Sequence, residues 1–454
     1  MKKFIETIKN IWSIKELRDK ITYTLILLLV FRAGSSLVLP GVDSQLLEKG
    51  ANDSNSLFGL INTYTGGAFN QASIFALGIM PYITASIIVQ LLGFAVPYFQ
   101  RLQQKEGESG RKKLNQITRI LTLLITVVQG SAYLTYIQSM GVVNPAMGTF
   151  MFWLCNSIIL ATGTIFCMWL GERITDRGIG NGTSLIIMTG IIAALPSAFA
   201  FELQSQLSSG GLILFVFEII ILFIIIIASI LIVQGVRKIP IQFAKRMVGR
   251  GSGSMPMNTD RDYIPLKVNA AGVMPIIFAQ AITFLPLTAI QFLSGDQAAG
   301  SSGILQTLAD SYGFWHNLIT FILVVVFTYI YTALIVNPQN YAEYLKRSNA
   351  FIPGIKPGED TEEYIDNTTT RITLPGSIFL GIITILPAIA VIFGVNTNFA
   401  RFFGGSSILI LVGVVLDTLA MIESYLLMKK YDGLVKSGKI EGRSSTGGLA
   451  SPIQ

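Results

Sequence analysis

The side chains that could perform chemistry are few in this chain of 454 residues. His316 is the single histidine, so histidine metal clusters and Ser-His-Asp triads are excluded. Cys155 and Cys167 lie in one apolar stretch and cannot link distant parts of the chain, which makes them packing residues. The sequence therefore predicts no catalytic site, no metal site and no cofactor.

One stretch imitates a phosphate-binding loop. The sequence GLVKSGK at 433–439 has the glycine spacing of such a loop, but Ile440 stands where Ser or Thr should hold magnesium. The stretch also follows an apolar segment instead of a strand. Any nucleotide-derived energy must therefore come from another protein.

Ionisable residues inside the apolar stretches are the remaining candidates: Arg32, Arg119, Glu218, Asp417 and Glu423. Placing a charge in lipid costs free energy, so each of these residues is a candidate for a functional role. Asp417 is the only plausible ion-coupling residue among them, and a structural contact with a partner is the simpler interpretation. The sequence leaves both interpretations of Asp417 open.

The elements that carry these residues are membrane helices. The chain is 51% hydrophobic and only 13% charged, against about 25% charged residues in soluble domains. A hydrocarbon core of about 30 Å needs about 20 apolar residues per helix. The predicted spans are 21–40, 74–97, 115–138, 147–171, 182–200, 212–235, 270–293, 314–337, 373–394 and 404–428.

Basic residues define the sidedness of these ten spans. Of the 33 Lys and Arg residues, 29 fall in the two tails and the alternate loops on one side, and 2 fall on the other side. The positive-inside rule makes the basic side cytoplasmic, with both termini inside. One missed or added helix would scramble this alternation. The amphipathic segment 1–20 lacks the short apolar core of a cleaved signal peptide.

Ten spans divide the chain into two halves of five. The predicted units are a cytoplasmic segment 1–20, an N-terminal half 21–200, a C-terminal half 212–428 and a cytoplasmic tail 429–454. Because five is odd, the second half begins on the opposite face from the first. This topology permits an inverted repeat with a functional path between the halves.

Two long cytoplasmic loops, 236–269 and 338–372, are polar, basic and similarly placed in the C-terminal half. They are natural docking surfaces for a soluble partner. The alternative is that they only anchor the topology by their positive charge.

A segment between the first two spans, 56–73, is too polar to cross lipid and too apolar for a hydrated loop. The apolar residues at helical spacing within it are Leu57, Leu60, Ile61 and Tyr64. Gly66 and Gly67 would end this short helix. A re-entrant plug buried in a channel fits the pattern, and an interfacial helix on the outer surface fits it as well.

Five motifs in the chain resemble the SecY family, the channel subunit of the general protein translocase. They are TGGAFNQASIFALGIMPYITASIIVQLL at 65–92, GERITDRGIGNGTSLII at 171–187, AKRMVGRG at 244–251, PLKVNAAGVMPIIFA at 265–279 and LKRSNAFIPGIKPGEDTEEYI at 345–365. The resemblance implies an all-α polytopic membrane protein, with ten transmembrane helices in two inverted five-helix halves around a central pore. It further implies that unfolded secretory polypeptides pass through the pore and that hydrophobic helices leave it sideways into lipid.

The resemblance also implies a ring of six aliphatic side chains at the constriction of the pore. By motif these are Ile79, Ile83, Ile187, Ile191, Ile277 and Ile410. The first two pairs are spaced i,i+4, so each pair shares one helix face. Spacing alone does not identify them, because isoleucine abounds here and a lipid-facing position is the simpler interpretation.

The family positions assign further roles. The segment 56–69 would be the plug that covers the ring from outside. Gln90, Ala281 and Leu285 would lie along the lateral gate, where the second and third helices part from the seventh and eighth.

The family's docking residues fall on the two basic loops. The implied contacts are Lys245, Arg246 and Arg250 in the first loop and Lys356 in the second. The family commonly has Arg at the position of Lys356 and a second Arg at the position of Gly251, and Lys does not reproduce a forked Arg contact. These departures bear on the motor contact and leave the pore assignment intact.

The implied partners are small membrane subunits of the SecE and SecG type, a SecA-type motor ATPase, the ribosome, signal sequences and unfolded polypeptides. The implied location is the cytoplasmic (inner) membrane.

A secondary transporter of a small solute is the competing function. A transporter concentrates polar groups at the midplane, whereas this chain concentrates aliphatic side chains there. The midplane composition therefore favours the polypeptide channel.

Overall fold

The structure, a computed structural model, describes residues 11–43, 62, 65–104, 106–144, 148–209, 211–243, 261–280, 282–283, 312–403 and 405–436. Its N-terminal helices are α1 Lys15–Ser35, α2 Met80–Ala95, α3 Pro97–Gln104, α4 Gly107–Ser139, α5 Thr149–Arg177 and α6 Gly182–Ser209. Its later elements are α7 Leu212–Gln234, β1 Val236–Phe243, β2 Arg261–Lys267, α8 Phe314–Ile335, α9 Pro338–Arg347, β3 Ala350–Phe351, α10 Glu359–Ile392, α11 Thr397–Phe403 and α12 Gly405–Lys436.

The predicted polytopic helical class is confirmed. Within the described ranges, seven helical segments are long and apolar enough to cross a membrane, or eight if α2 and α3 form one broken span. The more charged α1 and the helical residues 274–280 coincide with the first and seventh predicted spans. The described helices are thus consistent with ten spans.

The second span begins later than predicted. The helix α2 starts at Met80, with Pro81 in its first turn, whereas hydropathy placed the start of the span at residue 74. Gly78 just before it has a positive φ of 54°, a conformation that glycine adopts without steric cost. Residues 66–79 therefore form turns, and the apolar sequence there is buried without being a continuous helix.

The turn segment 65–79 is held between neighbouring helices by close backbone approaches. A side chain at Gly163 of α5 would overlap the carbonyl oxygen of Ile74, and one at Gly34 of α1 would overlap the ring of Phe75. The Phe75 ring also stacks on Phe31, with 5.9 Å between ring centroids. Glycine on two helices thus makes room for the segment inside the helix bundle.

A small sheet joins the two long loops and was not predicted from the sequence. Strand β1 pairs antiparallel with β2, from Val236↔Lys267 to Gln242↔Arg261, and pairs with β3 at Phe243↔Ala350. Alternate residues in the middle of β1 and in β2 enter one small core. The strand residues in it are Ile239, Ile241, Ile264, Leu266 and Ala350.

The main hydrophobic cluster lies where both predicted halves meet. It contains buried residues from α1, α2, α5 to α8 and α10 to α12, together with residues of the 271–279 stretch. A second cluster surrounds Phe69 and Tyr133 and packs the turn segment against α4 and α5.

The close approach at Gly163 yields a stability test. We expect Gly163→Ala to lower the free energy of unfolding by about 1–3 kcal/mol, because the new methyl group forces the Ile74 backbone away from α5. The measurement is the unfolding midpoint of the purified chain in mild detergent.

The matched control for this test is Gly413→Ala, since no atom lies within 4 Å of the position that its methyl group would take. Equal midpoints for the two variants would show that the turn segment does not pack tightly on α5.

Candidate functional site

The six predicted ring isoleucines all lie buried in the main hydrophobic cluster. Each of them is between 1% and 8% exposed, and they come from four separate parts of the chain. Two come from the start of α2, two from α6, and one each from the 274–280 helix and α12. Parts of both predicted halves therefore contribute branched aliphatic side chains to the same cluster.

The local geometry of the first pair differs from the prediction. Ile79 does not lie within a helix but is the residue just before the first turn of α2. The Ile83 amide still donates to the Ile79 carbonyl at 3.1 Å, so the two residues remain one helical turn apart. The Ile79 side chain faces Gly171 of α5, where an added Cβ would lie 3.3 Å from its Cδ1 atom.

The second pair shows which face of α6 is turned inward. Ile187 and Ile191 are 5% and 1% exposed, whereas the adjacent Ile192 is 46% exposed. Isoleucines of identical chemistry thus occupy opposite environments one residue apart.

The six isoleucine side chains have simple chemistry. Isoleucine side chains neither donate nor accept hydrogen bonds, and they offer no charge to an ion. All six are buried in the described structure.

The two glycines of the predicted plug lie directly beside this cluster. Gly66 has a φ of 65°, and an added Cβ would lie 2.9 Å from the Cα and carbonyl oxygen of Gly190. Gly190 precedes Ile191, so the turn rests on the helix that supplies the second pair. The Arg32 guanidinium donates to the Gly66 carbonyl with 2.8 Å between Nη1 and O.

The rest of the turn is also paired within the protein. The Gly67 and Asn70 amides donate to the carbonyl and side-chain oxygens of Asn62, each at 3.0 Å. The Tyr133 hydroxyl donates to the Phe69 carbonyl at 2.6 Å. Such internal pairing lets non-helical backbone persist at membrane depth. It also explains the role of Arg32, one of the charges found inside a span.

Nine of the predicted site residues lie outside the described residues. They are Leu57, Leu60, Ile61 and Tyr64 of the plug, Ala281 and Leu285 of the lateral gate, and Lys245, Arg246 and Arg250 of the first docking loop. Gln90, the third gate residue, is half-buried on α2, and its Nε2 lies 3.4 Å from the Ser86 hydroxyl.

The predicted docking residue Lys356 is exposed on a tight loop after β3. Gly354 and Gly358 flank it with φ values of 86° and 121°, and the Thr361 hydroxyl donates to its carbonyl at 2.7 Å. The nearby Ile352 is buried in the small core beneath the sheet. The sheet therefore fixes this loop to the end of β1 at Gln242 and Phe243, far from the base of the β1–β2 pair at Val236 and Lys267.

The other charges within spans separate into exposed and paired groups. Asp417 and Glu423 are exposed on α12, so no contact within the described chain buries either one. Arg119 forms a two-pronged ion pair with Glu172 of α5, with its shorter N–O distance at 2.7 Å. Glu218 is buried.

Two polar residues next to Glu218 were missed by the sequence analysis. The predicted fifth span ended at residue 200, but α6 continues to Ser209 and carries Glu202 and Gln206 into the protein. Gln206 Nε2 donates to Glu202 Oε1 at 2.8 Å and lies 3.5 Å from Glu218 Oε1. Glu202 and Gln206 are four residues apart, and this helical spacing was the signal in the sequence that could have extended the predicted helix.

Comparison with known proteins shows which family this chain resembles. A family model described as SecY matches residues 73–419. The protein translocase subunit SecY of Chlamydia muridarum is 38% identical over 468 residues, covering 96% of this chain and 99% of its own. The corresponding subunit of Streptomyces coelicolor is 40% identical over 435 residues, covering 93% and 97%.

Solved structures show the same fold. The structure of a protein-conducting channel matches with a TM-score of 0.62 at 19% identity, over 92% of this chain and 94% of that chain. Sec61 in the canine ribosome–channel complex from the endoplasmic reticulum matches with a TM-score of 0.60 at 18% identity, over 92% and 94%.

The Tyr133 hydrogen bond can be tested directly. We expect Tyr133→Phe to speed amide hydrogen exchange in residues 66–73, because it leaves the buried Phe69 carbonyl unpaired at a cost of about 1–3 kcal/mol. Hydrogen exchange of the detergent-solubilised chain measures the effect. Tyr98→Phe, at a position 60% exposed, is the control, and identical exchange in both variants would contradict the anchoring role of Tyr133.

Proposed function

This chain belongs to the SecY family and is a translocase channel subunit of the cytoplasmic membrane, and we propose that the six buried isoleucines form the constriction of its pore. The observation that carries the proposal is their convergence. Six residues that are separated by as many as 331 positions, from Ile79 to Ile410, are buried in one cluster. Lipid-facing isoleucines would remain exposed, as Ile192 does.

A polypeptide conduit must pass every side chain without holding any of them. A ring of aliphatic side chains meets this requirement because it makes no hydrogen bonds or ion pairs with cargo. It also closes by contact between apolar surfaces when no cargo is present, which limits ion leakage. This chemistry supports a pore for unfolded secretory polypeptides and does not support a pocket for a polar solute.

The turn at Gly66 and Gly67 is proposed as the fixed base of the plug. Its contacts with Arg32 and Gly190 attach it beside the ring, so displacement of the plug is coupled to movement of α1 or α6. The lateral gate along Gln90, Ala281 and Leu285 remains a proposal from the family positions.

The two long loops are proposed as one docking unit on the cytoplasmic side. Pairing of β1 with β3 supports this, since it joins the hairpin that carries Lys245, Arg246 and Arg250 to the loop that carries Lys356. A basic surface suits ribosomal RNA phosphates and an acidic motor surface. One structural neighbour is a channel bound to the ribosome, and we propose the ribosome and a SecA-type ATPase as partners here.

The chain itself is proposed to carry out no catalysis. Cargo movement then depends on the ribosome or the motor ATPase, while small subunits of the SecE and SecG type complete the channel in the membrane. We further propose that both termini lie on the cytoplasmic side, in agreement with the distribution of basic residues.

The ring is tested by substituting neighbouring residues of α6. We expect Ile191→Ser to raise the ion conductance of the idle channel several-fold and to let precursors with defective signal sequences be exported, because a hydroxyl stabilises water in the constriction. Ile192→Ser changes the exposed neighbour and serves as the control. Conductance measured in planar bilayers should stay at the wild-type level for Ile192→Ser, and equal leakage from both variants would remove Ile191 from the ring.

The docking unit is tested by reversing one charge. Lys356→Glu should slow precursor export several-fold while membrane insertion and abundance of the chain stay normal, because a negative charge repels acidic partner surfaces. Lys112→Glu makes the same change on the same predicted side, outside the sheet. If both variants export at the wild-type rate, or are slowed equally, the loops serve only as topological anchors.

A further inference from the structure

A lipid-facing cavity lies between α7 and α10, at the end of these helices opposite the sheet. Its volume is about 640 Å³, within the range of about 300–1,000 Å³ typical of small-molecule sites. The walls are apolar and include Phe217, Ile221 and Ile225 of α7 and Ile389 of α10. Phe217 and Ile221 are 61% and 47% exposed, so the cavity opens towards the surrounding membrane.

One carboxyl group interrupts this apolar wall. Glu218 lines the cavity, is only 4% exposed, and has one carboxyl oxygen, Oε2, without a hydrogen-bond partner within the described structure. A buried and unpaired polar atom of this kind is costly. A donor from outside the chain would remove that cost.

The neighbouring groups within the described ranges do not supply this donor. The side-chain amide of Gln206 lies 2.8 Å from Glu202 Oε1 and 3.5 Å from Glu218 Oε1, so two carboxyl groups share it. Glu202 Oε2 accepts a further hydrogen bond from the backbone N–H of Asn396 at 3.1 Å. Glu202 is therefore satisfied on both oxygens, and Glu218 retains one free oxygen beside a second acidic group. Two adjacent carboxyl groups attract a cation and repel an anion.

Depth in the membrane identifies the kind of molecule that carries the donor. Glu218 lies six residues into α7, about 9 Å from its end, and Ile225 lies about 20 Å from it at 1.5 Å per residue. The cavity thus extends from the headgroup boundary along much of one leaflet. A molecule that fits it has a cationic donor at one end and a hydrocarbon chain at the other.

We propose that this cavity binds a phospholipid with a primary ammonium headgroup, of the phosphatidylethanolamine class. The ammonium group donates to Glu218 Oε2, and an acyl chain packs on Phe217, Ile221 and Ile225. Glu202 and Gln206 lie on α6, Glu218 on α7 and Asn396 after α10, so the lipid binds where the two predicted halves are connected. Its headgroup would complete the polar contacts at that connection.

The test uses the full chain, purified in mild detergent and depleted of lipid. Phosphatidylethanolamine, phosphatidylcholine and phosphatidylglycerol with identical acyl chains are added in turn, and native mass spectrometry counts the lipids retained. We expect the wild type to retain phosphatidylethanolamine about tenfold better than either other lipid, because only its headgroup offers both a positive charge and N–H donors to Glu218 Oε2. Phosphatidylcholine carries the charge without an N–H donor, and phosphatidylglycerol lacks the cation.

Two variants separate the lipid site from general stability. Glu218→Gln keeps the shape of the side chain and should lose the preference for phosphatidylethanolamine. Ile221→Trp fills the cavity without changing charge and should reduce retention of that lipid to a similar degree. Phe223→Trp, at a position 63% exposed on the same helix, is the control and should bind as the wild type does.

Three results would overturn the proposal. The first is equal retention of phosphatidylethanolamine by the wild type, Glu218→Gln and Ile221→Trp. The second is equal retention of all three lipids by the wild type. The third is a membrane-spanning accessory protein that crosslinks at position 221 and excludes lipid, which would make the cavity a helix-docking groove.

Discussion

The structure depends on one constraint, the need to pair every backbone polar group that lies at membrane depth. Residues 65–79 are not a continuous helix, so their amides and carbonyls cannot all pair within the segment. The surrounding helices supply what is missing: Arg32 of α1 and Tyr133 of α4 donate to carbonyls of the turn. Glycines on α1 and α5 provide the space. The same segment leads into Ile79, so the pairing that buries the turn also positions the first residue of the proposed ring.

Much of the fold could be predicted from the sequence because hydropathy and basic residues report directly on lipid and sidedness. The ends of the helices and strands were harder to predict from the sequence. The extension of α6 to Ser209 was missed because Glu202 and Gln206 look like loop residues until Asn396, distant in sequence, pairs with Glu202. The sheet was missed although Ile239 and Ile241, and Ile264 and Leu266, alternate as strand residues do. Basic residues around these alternating positions made the segment resemble a plain anchoring loop.

The proposed site was predictable only in part. Isoleucine is too common here for spacing to separate a pore-facing residue from a lipid-facing one, and Ile191 and Ile192 illustrate the problem. The family motifs selected six residues, and the fold buries all six in one cluster. The charge of Arg32 was detectable in the sequence, but its partner was not, because the Gly66 carbonyl is brought to it by a turn that requires φ > 0.

Contact between a moving polypeptide and the ring tests the central claim most directly. A secretory precursor stalled in transit and carrying one cysteine can be oxidised against single cysteines placed in a chain whose Cys155 and Cys167 have been replaced. We expect disulfides with cysteine at positions 83 and 277, and none with cysteine at the exposed positions 192 and 223. Disulfides at the exposed positions with none at the buried ones would contradict a path through the isoleucine cluster.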